Sequence, residues 1–184
     1  MDLAEERMGD YSRFQHFAEF IGSTFPEAHR IADVAGGQGE LVFWLYELGK
    51  KATIIDPRET ALPRWIRKML RKRAVRGERL VHIDRLKRSV EETDLSPFDL
   101  VVAMHPDKAT EPTLRKALEC DLDFAIVPCC VYPMDGQRRS SEEWISYLAS
   151  LSSGIKTTCL PISGANTVLW RKCGKSGRQE TREK

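Results

Sequence analysis

Asp33-Val34-Ala35-Gly36-Gly37-Gln38-Gly39-Glu40-Leu41, followed by the apolar run Ile54-Ile55 and the acid Asp56, decides how this chain reads. The run Arg30-Ile31-Ala32 leads into it, and Leu41, Val42, Trp44, Leu45 and Leu48 leave it at helical spacing. The order is strand, glycine turn, helix, then a second strand that ends in an acid. Glycines at 36, 37 and 39 let the backbone bend tightly and let a ligand approach it. An acid at the tip of the second strand is placed to take a pair of ribose hydroxyls. The stretch therefore predicts a nucleoside-cofactor site built from Asp33, Ala35, Gly36, Gly37, Gly39 and Asp56.

The dinucleotide fingerprint G-x-G-x-x-G fits badly, because Val42 stands where its third glycine belongs. Asp33 separates the remaining cofactors. Beside a pyrophosphate it adds like-charge repulsion in a poorly screened crevice, whereas beside an ammonium and a sulfonium it attracts. The pattern D-x-A-G-G-x-G-x-L resembles motif I of the class I S-adenosylmethionine (SAM)-dependent methyltransferases, and Asp56 matches their ribose-binding acid. The resemblance implies SAM as cofactor. It also implies a Rossmann-like α/β fold: a seven-stranded, mostly parallel sheet with a C-terminal antiparallel hairpin and helices on both faces. The plainer alternative is a Rossmann-like turn that binds no nucleoside.

A chain of 184 residues fits one domain, here 1–173, with a core of ordinary size. The tail 174–184 has no apolar residue and is expected to be disordered. No run of about 18 apolar residues is present, which excludes a spanning helix. The acidic start Met1-Asp2-Leu3-Ala4-Glu5-Glu6 lacks the order of a signal peptide. Five cysteines, an odd number that includes the adjacent pair Cys129-Cys130, do not make a disulfide framework. A reducing intracellular setting, cytoplasmic or nuclear, is the expectation. A net charge of +2 says little about partners, and oligomeric state is not legible.

Periodicity predicts a helix over 11–25, strands at 30–35 and 52–56, and a helix over 39–48 stopped by Gly49. A basic helix follows over 61–73, then a third strand over 79–84 and a fourth over 98–104. Thr110 reads as the N-cap of a helix to about 120, and 124–128 as the fifth strand. Ser140-Ser141-Glu142-Glu143 has capping-box spacing ahead of Trp144. Two runs, 156–162 and 166–171, flank Ser163-Gly164-Ala165 as a hairpin. In all, five strand–helix units precede that hairpin.

Ligands in open α/β sheets lie beyond the carboxyl ends of the strands. Those ends carry Asp33 to Gly39, Asp56, Asp84, His105-Pro106-Asp107 and Pro128-Cys129-Cys130. Asp84 is either an adenine-side cofactor residue or a solvated acid paired with Arg85, and Arg58 reads as surface or substrate-facing. The segments Val101 to Thr110 and Ile126 to Cys130 resemble those of a methyltransferase subgroup, the methyltransferase-like-25 proteins and the tRNA methyltransferases related to them. That resemblance places His105 near the transferred methyl group and the cofactor. His105 is then a candidate base for a hydroxyl acceptor and Asp107 its orienting partner; alternatively the ring bonds a backbone carbonyl. Cys129 and Cys130 are packing, pocket-shaping or nucleophilic residues. No metal is expected, since adjacent cysteines with His105 lack the spacing of structural zinc.

Arg64 to Arg73, with Arg76 and Arg79, puts Trp65, Ile66, Met69 and Leu70 on one helical face and cations on the rest. With almost no interleaved acid, the helix 64–79 is either a solvated face or a phosphate-binding one. The leading expectation is a SAM-dependent methyltransferase acting on RNA, tRNA or rRNA. A small-molecule or protein methyltransferase, and a non-catalytic SAM-fold partner of another methyltransferase, are the competing readings.

Overall fold

Leu100, Val102 and Met104 pack on one side of a central strand, and Val101 and Ala103 on the other. A strand buried on both faces needs a covering layer on each side. The structure, a computed structural model, describes residues 12–78 and 83–173. The helices are α1 (Ser12–Thr24), α2 (Glu40–Glu47), α3 (Arg64–Val75), α4 (Thr110–Glu119) and α5 (Ser141–Ser150). The strands are β1 (Arg30–Val34), β2 (Lys51–Ile55), β3 (Asp84–Leu86), β4 (Leu100–Met104), β5 (Asp123–Val127), β6 (Lys156–Cys159) and β7 (Thr167–Arg171).

They form one sheet in the order β3-β2-β1-β4-β5-β7-β6. The first five strands are parallel, and β7 runs antiparallel to both β5 and β6. Phe17, Ala18 and Ile21 of α1 and Leu41, Val42 and Leu45 of α2 cover one face. Leu114 and Ala117 of α4 and Trp144 and Leu148 of α5 cover the other. Successive strands leave β1 in opposite directions, so the crevice between the ends of β1 and β4 is the topological switch point.

The expected architecture is present, with local corrections. The third strand is only Asp84–Leu86, so it starts where 79–84 was expected to end; Arg79 to His82 lie outside the described residues. Asp84 pairs in register with Thr53, inside β2, so it sits at the amino end of β3 rather than at the ligand end. No helix joins β3 to β4. Turns carry the chain from 87 to 99, and Val90, Leu95 and Phe98 fill the face a helix would have covered, leaving four strand–helix units.

Thr110 is the first residue of α4, not its cap: its hydroxyl donates to the Asp107 carbonyl instead of accepting from the helix (2.8 Å). The basic helix spans 64–75 and the hairpin strands are shorter than the apolar runs suggested. The capping box at Ser140 and Glu143 is formed, and Gly49 adopts the left-handed φ of 74° that ends α2. The tail 174–184 lies outside the described residues, among which no helix is long and apolar enough to cross a membrane.

Lys50 ties the first helix to the sheet. Its side chain is buried, and its Nζ donates to the carbonyls of Phe25, Pro26 and Ala28 at 2.9, 3.1 and 2.8 Å. Those carbonyls lie between α1 and β1, so one ammonium satisfies the end of that turn. Lys50→Met keeps the stem and removes the donors. It is expected to lower unfolding free energy by about 2–3 kcal/mol, read as a reduced urea midpoint at unchanged m-value.

Candidate functional site

The last residue but one of β1, Asp33, is 1% exposed, at the dry centre of the sheet. Its Oδ2 is buried and has no hydrogen-bond partner. Burial is the main force pushing this carboxyl up, to about 8; the nearby Asp56 adds to it and Arg85 opposes it. The chain passes directly over the acid at Gly36, where a Cβ would lie 2.3 Å from Oδ2. Only glycine fits that crossing. Gly39 then turns into α2 with φ 84°, and a Cβ there would meet Ile54 Cδ1 at 2.9 Å. Ala35, at φ 55°, completes the bend.

Asp56, just beyond β2, is fully buried and fully bonded. Its carboxylate accepts from the Gly37 N–H (3.1 Å) and the Arg58 N–H (2.9 Å), and the Arg58 guanidinium forks onto both oxygens, at 3.1 Å each. Burial alone would raise this carboxyl, but the Arg58 fork and the two backbone donors hold it below the usual range. Arg58 is thus an exposed residue, as expected, and its guanidinium also caps the acid expected to bind ribose. Thr60 Oγ1 and Arg85 Nη2 (2.7 Å) both donate to the Gly37 carbonyl and brace the glycine turn from the β2 and β3 sides. The Asp84 carboxylate, at the amino end of β3, faces Lys51 Nζ at 3.8 Å.

Across the crevice, β4 ends in an unusual turn. His105 and Asp107 both adopt left-handed backbone, φ 54° and 50°, on either side of Pro106. The His105 ring Nε2 lies 2.9 Å from the Ala165 carbonyl in the β6–β7 connection. A carbonyl only accepts, so Nε2 carries the proton and the neutral ring keeps Nδ1 as its acceptor. The backbone-carbonyl bond expected of the His105 ring is formed, and it leaves Nδ1 as the ring's acceptor. Among the described residues no hydrogen bond joins His105 to Asp107. Asp107 instead accepts from the Cys129 thiol, with Oδ1 3.1 Å from Sγ.

Burial first, and the Asp107 carboxylate second, push that thiol up to about 12. A thiol held protonated in this way is a weaker nucleophile than its thiolate. Cys130 stands beside it. The donor atoms of Asp107, Cys129 and Cys130 all lie within 4.8 Å of one another, a set that includes Asp107 where the sequence had suggested His105.

Glu111 is the residue sequence reasoning missed most completely. In the first turn of α4, it is wholly buried and accepts from the Met134 N–H (2.8 Å), Tyr147 Oη (2.8 Å) and Arg115 (2.7 Å). It pins the loop that leaves β5, and with it a cleft of about 540 Å³ lined by Lys108, Tyr132, Pro133, Gln137 and Arg138. An acid four residues before Arg115 gives no signal of this; the partners come from three elements.

On the cofactor side, α3 buries only Ile66, and Trp65 meets Phe43 edge-on at 5.2 Å. Arg73 forks onto Glu47 of α2 at 2.6 and 2.7 Å, so it is structural. Among the described residues Arg64, Arg67, Lys68, Arg71 and Lys72 have no acidic partner.

No protein-family model matches the sequence, and no curated protein does. Solved structures do. The PH0226 protein of Pyrococcus horikoshii is 15% identical with a TM-score of 0.55, over 86% of this chain and 88% of that one. The 1,6-didemethyltoxoflavin-N1-methyltransferase of Burkholderia thailandensis, solved with its substrate and S-adenosylhomocysteine, is 17% identical with a TM-score of 0.53, over 91% and 80%. The plantazolicin methyltransferase BpumL, in complex with S-adenosylhomocysteine, is 13% identical with a TM-score of 0.51, over 84% and 70%. The fold is the Rossmann-like methyltransferase fold. At these identities the likeness speaks for the fold, and the chemistry rests on the residues above.

The state of Asp33 has a measurable consequence. In the unfolded chain it ionises near about 4; in the fold it holds its proton up to about 8. Between those values the folded state binds the extra proton, so stability contributed by this group is full below the window and falls as pH rises through it, by at most about 1.4 kcal/mol per pH unit. Asp33→Asn removes the titration. The difference in denaturation midpoint between variant and parent should grow in the variant's favour from pH about 4 to about 8; a constant difference would refute the assignment.

Proposed function

We propose that this chain transfers a methyl group from SAM to an RNA acceptor. The observation that carries the cofactor half is the buried, unpartnered Oδ2 of Asp33 beneath the glycine turn. A neutral phosphate-binding loop has no use for an acid there, whereas a cationic ligand supplies the missing partner and draws the proton off. Asp33 then faces the ammonium and sulfonium side of SAM, the backbone of Ala35 to Gly39 lies along it, and Asp56 takes the ribose hydroxyls once Arg58 moves aside. The neighbours solved with S-adenosylhomocysteine support the same reading.

On the acceptor side, His105 Nδ1 and the cleft beside Lys108 lie at the ends of β4 and β5. Methyl transfer is a displacement in which positioning supplies much of the acceleration, and His105 takes a proton where the acceptor is a hydroxyl. The five acid-free cations of α3 support an RNA acceptor, as does the resemblance of residues 101 to 130 to tRNA-modifying relatives. A second reading is favoured by the neighbours' own substrates, toxoflavin and plantazolicin precursors: a small-molecule acceptor held in the cleft.

Calorimetry tests the cofactor. SAM affinity should rise with pH up to about 8 and then level off, as binding ceases to require loss of the Asp33 proton. Asp33→Ala and Asp56→Ala should each weaken it, and unchanged affinity in both would reject the site. Incubation with methyl-labelled SAM and separate RNA, protein and metabolite fractions identifies the acceptor. Label in RNA, together with a salt slope of RNA binding lowered by about 0.7 per cation removed in an Arg67→Ala/Lys68→Ala/Arg71→Ala variant, fits the first reading. Label confined to metabolites and indifference to those three substitutions select the second.

A further inference from the structure

Asp107 and the adjacent pair Cys129-Cys130 belong to different strand ends, yet three donor atoms from them converge. A carboxylate oxygen and two sulfurs lie within 4.8 Å of one another, and the Asp107 Oδ1 to Cys129 Sγ distance is already 3.1 Å. With Zn–S near about 2.3 Å and Zn–O near about 2.1 Å, the edges of a tetrahedral site are about 3.5–3.8 Å. The three atoms are thus within small side-chain rotations of a common centre.

The backbone holds them there. The left-handed residues His105 and Asp107 turn the chain back toward β5, and the Thr110 hydroxyl fastens the Asp107 carbonyl. Beyond Cys130, the buried Glu111 fixes the loop at Met134. The spacing rule for structural zinc assumes that each cysteine pair lies in its own loop; it does not bind here, because the third donor arrives from a different strand.

We propose that Asp107, Cys129 and Cys130 form a site for a borderline divalent cation of the zinc class, with three protein ligands and an open fourth position. Two sulfurs disfavour magnesium and calcium, which want oxygen shells. Three protein ligands with a vacant corner is the arrangement of catalytic rather than structural zinc. The vacant corner lies where β4 and β5 end, so an oxygen, nitrogen or sulfur of a small ligand or of water completes the shell. The thiols give up their protons to the solvent as the metal binds. The site stands independently of methyl transfer and of the RNA reading.

The test uses the full chain, kept reduced, stripped with a chelator and dialysed against zinc. About one zinc per chain should survive gel filtration, and cobalt in its place should show sulfur-to-metal charge-transfer absorption. Asp107→Asn and Cys130→Ser should each weaken zinc binding by more than the roughly 10–100-fold that loss of an outer-shell partner costs. Cys159→Ser, at an exposed thiol on β6, should leave it unchanged. Far-UV circular dichroism and the metal-free denaturation midpoint report whether each variant is folded. No retained zinc in the parent chain overturns the proposal. So does retention that survives a folded Cys129→Ser/Cys130→Ser double variant, or that disappears in Cys159→Ser.

Discussion

A carboxylic acid with no hydrogen-bond partner for one of its oxygens sits in the driest part of the sheet, and the crevice is organised around that cost. Asp33 is there because β1 is an interior strand, flanked by β2 and β4 and buried on both faces. Desolvation keeps it neutral near pH 7. Gly36 has to be glycine because the backbone crosses directly above the carboxyl, and the left-handed Ala35 and Gly39 exist to make that crossing possible. The Arg85 and Thr60 bonds to the Gly37 carbonyl hold the turn in a shape that the acid alone would not impose. A buried acid left without a partner costs the fold stability, a cost of the kind that clusters at functional sites.

The two halves of the crevice are built by different means. On the cofactor side, local geometry dominates: glycine φ angles, a strand-end acid and its near neighbour Arg58. On the acceptor side, contacts are long-range. His105 meets Ala165, Asp107 meets Cys129, and Glu111 draws together α4, α5 and the loop after β5. The halves still sense each other, since Asp107 adds to the field that holds the Arg58 guanidinium protonated, after the larger effect of Asp56. On the outer flank, Arg73 fastens α3 to α2 and leaves its neighbouring cations to solvent.

That division explains what could be read from the amino-acid order. Asp33, Gly36, Gly39 and Asp56 were legible because they act within a strand–turn–helix–strand unit, where spacing fixes position. The seven-stranded, mostly parallel sheet was what the resemblance carried by that unit implied, and its strand order came only with the structure. The third strand was misplaced because it is three residues long, lies at the sheet edge and has no apolar alternation to mark it; the connection to β4 was missed because turns fill the place of a helix. Glu111 gave no signal in the sequence because its partners are up to 36 residues away. The donor set of Asp107 with the cysteine pair was hidden for the same reason: spacing rules describe one loop, and this set spans two.

Arg58 gives the ligand-free protein its own competitor. Its backbone is two residues from Asp56, so it returns to that carboxylate at a tethered molecule's effective concentration, far above that of any free ligand. Yet the side chain is 66% exposed, and dissolved ions weaken its hold far more than they weaken the buried acid beneath it. Electrolyte therefore acts on the entrance as a lubricant. A molecule that needs Asp56 enters more readily as ionic strength rises, opposite to the trend for any polyanion drawn to α3, and the two faces of the protein answer the same salt with opposite signs.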